Sequence, residues 1–74
     1  MPQERRARFP SLYAATLAPL RRYLARLLGN HADAQDIAHD AYARVYALMN
    51  GRWPEYPEAY LFTTARRLAL NQLR

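Results

Sequence analysis

Between Asp33 and Leu48 the chain carries the pattern of a helix with one committed face. Ile37, Ala41, Val45 and Leu48 recur at spacings of four, four and three, which aligns them as an apolar stripe at the helical period. The same period runs through the segments on either side. Leu17, Leu20, Leu24, Leu27 and Leu28 mark the buried face of a first helix, and Leu61, Phe62, Ala65, Leu68, Ala69 and Leu73 that of a third. There is no internal repeat and no strand pattern. The fold class predicted is all-α, a compact domain of three helices around one core.

Local signals place the helix ends. The first helix is expected to begin near Pro10 and Ser11 and to stop at Gly29, with Pro19 costing it one internal hydrogen bond. Asn30 is a natural N-cap for the second helix, with Asp33 three residues on in a capping-box-like position. That helix is expected to run to about Met49 and to end at Asn50 and Gly51. The segment from Arg52 to Pro57 is too rich in proline to be helical. Pro57 suits the first turn of the third helix, and Glu58 is favourable near its positive end. The division expected is a disordered basic tail over residues 1–8 and one helical domain over 9–74. The third helix reaches Arg74 with no glycine or capping residue, the pattern of a piece of a longer protein.

Seventy-four residues make one small domain, which buries roughly 60% of the surface that its unfolded chain exposes. Cysteine is absent, which removes disulfides, thiolate metal sites and thiol nucleophiles. Apolar runs are far shorter than the roughly 20 residues that span a bilayer. The first nine residues have charge but no apolar core, so they are not a secretory signal. A cytoplasmic protein without membrane insertion is expected. All eleven basic residues are arginine and the net charge is +5. An arginine-only composition is what a GC-rich genome produces, but the charge balance favours a polyanionic partner.

Two polar constellations stand against this background. Asp33, Asp36, Asp40 and Arg44 fall together on a second side of the middle helix. Such charges make either a solvated face or an acidic docking surface for a basic partner. On the third helix Tyr60, Thr64, Arg67, Asn71 and Arg74 align, with Thr63 and Arg66 beside them. These residue types hydrogen-bond base edges and phosphates. The preceding loop adds Arg52, Trp53 and Tyr56, and aromatic faces beside cations suit unstacked bases. The two aromatics serve equally well as a cover for the end of the core.

Other function classes fit less well. A small module that reads duplex DNA through a recognition helix predicts a short turn between its last two helices. This chain has a longer loop there, containing two prolines. His31, Asp33, Asp36, His39 and Asp40 share a region, but no further acidic or histidine cluster completes a coordination shell. No metal, cofactor or catalytic residue is assigned. A non-enzymatic protein-interaction domain with a solvated arginine stripe remains an alternative.

The two constellations together carry a resemblance. The segment Asp33–Tyr46 (DAQDIAHDAYARVY) resembles the acidic helix of region 2 in bacterial extracytoplasmic-function (ECF) sigma factors. Glu58–Arg74 (EAYLFTTARRLALNQLR) is similar to that family's promoter-reading helix. The likeness covers roughly residues 9–74 and lies nearest the iron-uptake-regulating subgroup. In the family, region 2 docks on the coiled coil of the RNA polymerase beta-prime subunit, melts the minus-ten promoter element and captures non-template bases.

The resemblance implies polymerase-facing roles for Asp36, Asp40 and Arg44, with Asp33 and His39 at the margin. It places a base pocket in the loop Met49–Tyr56, which holds Arg52 and Trp53, and at the start of the third helix. Tyr60, Thr63, Thr64, Arg67 and Asn71 become DNA-facing positions, and Arg74 continues their stripe. The implied partners are core RNA polymerase, promoter DNA as the non-template single strand, and an anti-sigma factor. Two positions depart from the pattern. The family usually has Gln-Glu or Gln-Asp where this chain has His39 and Asp40, and often Asn where it has Arg67, a change that bears on base preference. The second sigma domain, which reads the minus-thirty-five element, has no counterpart in these residues.

Overall fold

Gly29 and Asn30 divide the first two helices by two different backbone devices. Gly29 adopts a left-handed conformation (φ 69°), and its N–H bonds to the carbonyl of Ala25 at 2.7 Å, which closes the helix end. Asn30 is extended (φ −155°, ψ 121°), and its Oδ1 accepts the N–H of Asp33 at 3.0 Å. That bond satisfies one of the donors a helix start leaves unpaired. The computed structural model describes the backbone of residues 2–49 and 51–74 and the side chains of 8–49 and 51–74. Among the described residues there are three helices: α1 (Pro2–Leu28), α2 (His31–Leu48) and α3 (Pro57–Leu73).

The expected boundaries hold at most ends. α2 starts on the Asn30 cap and stops at Leu48, with Met49 as its C-cap, and Asn50 lies outside the described residues. α3 begins with Pro57 in its first turn and Glu58 close behind. The start of α1 differs. It lies at Pro2 rather than near Pro10, so residues 2–8, expected as a disordered tail, have helical backbone. Pro2 serves as a helix-starting proline, and Gln3, Glu4, Arg5, Arg6, Ala7 and Arg8 are good helix formers. Pro10 and Pro19 both sit inside the helix, where each removes one N–H donor without ending it.

Each helix packs on the other two. Leu20, Leu24, Val45 and Leu61 are the largest fully buried side chains, and Ala41, Ala65 and Ala69 are fully enclosed where the helices meet. Leu12, Ala34, Ile37, Ala38, Tyr42 and Met49 complete the core, with Thr16 as its buried polar member. Leu17, Leu27, Leu28, Phe62 and Leu68 pack against it while partly exposed. Two residues expected to point inward do not. Leu48 is 42% and Leu73 54% exposed. Each is the last residue of its helix, where the apolar stripe continues but the neighbouring helices no longer cover it. Met49 takes the buried position that Leu48 was expected to hold. No helix is long and apolar enough to cross a membrane among the described residues.

Candidate functional site

On α2 the core side and the polar side separate cleanly. Ile37, Ala41 and Val45 are buried, while Asp36, His39, Asp40 and Arg44 are exposed and Asp33 is half-buried at the first turn. The Arg44 Nε donates to Asp40 Oδ1 at 3.2 Å across one helical turn. Both groups are largely solvated (60% and 48% exposed), so this pair contributes about 0.3–0.5 kcal/mol. The arginine neutralises Asp40 in part. Asp36 has no ion-pair partner among the described residues and is the freer carboxylate of the ridge.

An aromatic cluster bounds this ridge on the α1 side. Phe9 lies edge-on to Tyr46 at 5.0 Å and to Tyr42 at 6.1 Å, and Tyr13 tilts over Tyr42 at 4.7 Å. Such ring pairs stabilise beyond their buried area. Tyr42 is the buried member and Tyr13 and Tyr46 are partly exposed. Burial raises the Tyr42 phenol above its ordinary value of 10.0. The sequence signal for this cluster was two aromatic pairs at a spacing of four, Phe9 with Tyr13 and Tyr42 with Tyr46, which the periodicity reading passed over.

The stripe on α3 is turned away from the core as its spacing predicts. Tyr60, Thr63, Arg67, Asn71 and Arg74 are exposed and Thr64 is half-buried. The Thr64 hydroxyl donates to the carbonyl of Tyr60 at 2.8 Å, so it presents lone pairs rather than a proton to a ligand. Arg66 is exposed next to the stripe.

The loop before α3 is arranged less simply. Tyr56 is 70% exposed and stands at the N-cap of α3, where its side chain makes no capping bond. Trp53 is half-buried, packs against the core, and buries an indole Nε1 that has no hydrogen-bond partner among the described residues. Its ring is also met from α1, with the Arg8 guanidinium carbon 4.6 Å from the ring centroid. Trp53 lines two clefts. The larger, of about 710 Å³, also includes Arg8, Leu12, Tyr56 and Glu58 in its walls. The smaller, of about 480 Å³, brings Arg52, Trp53 and Tyr60 together with the exposed Leu48. The loop aromatics and the start of α3 therefore share concave surface, while Arg67, Asn71 and Arg74 lie further along the helix and line neither cleft. Arg8 and Glu55 are cleft residues that the sequence reading missed; the place of Arg8 depends on a helix beginning well before Pro10.

Comparison with known proteins gives one family. The family model described as Sigma-70 region 2 matches residues 12–74. No curated protein and no solved structure gives a match.

Proposed function

The chain belongs to the Sigma-70 region 2 family, and from that premise we propose that it is the region 2 domain of an extracytoplasmic-function sigma factor. Domains of this family are non-enzymatic transcription-initiation modules that bind RNA polymerase and take part in recognition of the minus-ten promoter element. In our reading the exposed carboxylates of α2, Asp36 and Asp40, with Asp33, His39 and Arg44 around them, dock on the coiled coil of the beta-prime subunit. Arg52, Trp53, Tyr56 and Tyr60 hold unpaired non-template bases, and Thr63, Thr64, Arg67, Asn71 and Arg74 continue the contact along the strand. An anti-sigma factor covering one of these surfaces is the expected regulator, and the cytoplasm, where polymerase works, the expected compartment.

One observation carries this reading: the two kinds of surface are on different helices and both face solvent. Asp36 and Asp40 are exposed on α2, whereas Arg52, Tyr56, Tyr60, Arg67, Asn71 and Arg74 are exposed on α3 and the loop before it, with Glu55 and Glu58 beside them at the helix start. The physics favours dividing the work in this way. Opening a duplex costs about 1.4 kcal/mol per base-pair step on average. Trapping extruded bases offsets part of that cost and reads sequence at the same time. A domain of this size makes too few contacts to melt DNA unaided, so the polymerase-binding surface is part of the same function.

The test is a comparison of the chain's binding to single-stranded DNA and to duplex of the same sequence. Preferential retention of the single strand is the expected result. Stronger binding to duplex would instead support a helical module that reads paired DNA.

A further inference from the structure

Arg8 is held above the ring of Trp53 because α1 starts early. Arg8, Ser11, Leu12 and Ala15 follow one another at helical spacing and form the α1 wall of the larger cleft, with Trp53 and Tyr56 also lining it. The guanidinium carbon is 4.6 Å from the ring centroid, within the range of a cation stacked on an aromatic face. Arg8 precedes the span matched by the family, which begins at Leu12.

We propose that Arg8 is an intramolecular competitor for Trp53: its guanidinium occupies indole surface on which an unpaired base would stack, and a base entering the larger cleft must displace it. The inference rests on the base-capture reading of the loop and deepens it by adding a gate to that site. A planar guanidinium and a nucleobase use the same π-surface, so on the face of Trp53 that Arg8 covers one excludes the other. A cation on a partly exposed ring is held less strongly than a well-stacked base. On the ring itself, a base that stacks well competes successfully with the guanidinium and one that stacks poorly does not, which makes Arg8 a specificity-determining residue. Simple charge counting gives the opposite sign. Removing a cation from a chain of net charge +5 should weaken its hold on a polyanion.

The signs can be separated in the 74-residue chain. Trp53 is its single tryptophan, so fluorescence reports on that ring alone. Arg8→Ala is compared with the parent chain and with Arg26→Ala, which removes an exposed arginine from the last turn of α1. Two readouts are taken: acrylamide quenching of Trp53 without DNA, and affinity for a randomised single-stranded pool of about 16 nucleotides. The expected result for Arg8→Ala is stronger quenching and about two- to fivefold tighter binding, with neither change in Arg26→Ala. Unchanged quenching would show that Arg8 does not cover the ring, and weaker strand binding would show that Arg8 contacts the strand. Either result overturns the proposal. If neither protein binds single strands, the base-capture reading fails and the competition with it, while the quenching still shows whether Arg8 covers Trp53.

Discussion

The hydroxyl groups of Thr16 on α1 and Tyr42 on α2 meet at 2.6 Å inside the interface that holds the acidic helix in place. Both residues are buried, at 3% and 5% exposure. Thr16 Oγ1 also donates to the carbonyl of Leu12 at 2.6 Å. A threonine hydroxyl has one proton, so with that proton on Leu12 the Tyr42 hydroxyl is the donor between the two side chains. This direction makes the two single substitutions unequal. Tyr42→Phe removes the donor and leaves Thr16 bonded to Leu12, a loss of about 0.5–1.5 kcal/mol. Thr16→Val keeps the side-chain shape but leaves the Tyr42 hydroxyl buried without an acceptor, at about 1–3 kcal/mol. The double variant has no stranded hydroxyl, so its cost should be close to that of Tyr42→Phe alone and below the sum of the two singles.

In a domain of this size each kcal/mol moves Tm by about 4–8 °C, so thermal unfolding followed by circular dichroism resolves the series. A Thr16→Val variant at least as stable as Tyr42→Phe would refute the reasoning, as would strictly additive costs. Alkaline titration gives a second arm. Burial raises the Tyr42 pKa above 10.0 in the folded chain. The folded state then holds its proton more tightly than the unfolded one. The resulting stability is fully present below pH 10 and is lost as pH climbs through the raised value. The alkaline loss should be smaller in Tyr42→Phe.

Two further substitutions probe the helix start and the loop. Asn30→Ala removes the acceptor of the Asp33 N–H and should cost about 1 kcal/mol in denaturant unfolding, whereas Asn30→Gly should cost only a few tenths; no loss of stability in Asn30→Ala would mean that the cap contributes nothing. Tyr56→Ala should weaken single-strand binding by about 1–3 kcal/mol without lowering helicity, because the Tyr56 side chain is mostly solvated and makes no capping bond. Unchanged single-strand affinity would remove Tyr56 from the base-holding surface. Trp53→Ala is a poorer probe, since its ring also packs on the core.

The helices were legible where their signals were local. Gly29, Asn30 and Pro57 act through their own backbone and nearest neighbours, and all three end or start helices as their chemistry dictates. The exposed positions of α2 and α3 were legible for the same reason, since helical period alone turns Asp36, Asp40, Arg67 and Asn71 away from the core. Features that depend on a partner helix were not. Leu48 and Leu73 continue good apolar stripes, and only the reach of the neighbouring helices decides that their ends stay exposed. Thr16 reads as a polar residue until Tyr42 is known to face it. The early start of α1 required weighing six good helix formers against an internal Pro10, and the Arg8–Trp53 contact follows from that start.

The central claim is that α2 presents an acidic surface to RNA polymerase, and capture of core polymerase on the immobilised chain tests it most directly. Asp36 is the position to reverse, because Asp40 is already partly neutralised by Arg44 while Asp36 has no such partner among the described residues. The parent chain should retain core polymerase, and Asp36→Arg should lose most of that retention with its helicity unchanged. Undiminished capture by the folded Asp36→Arg chain would contradict the account.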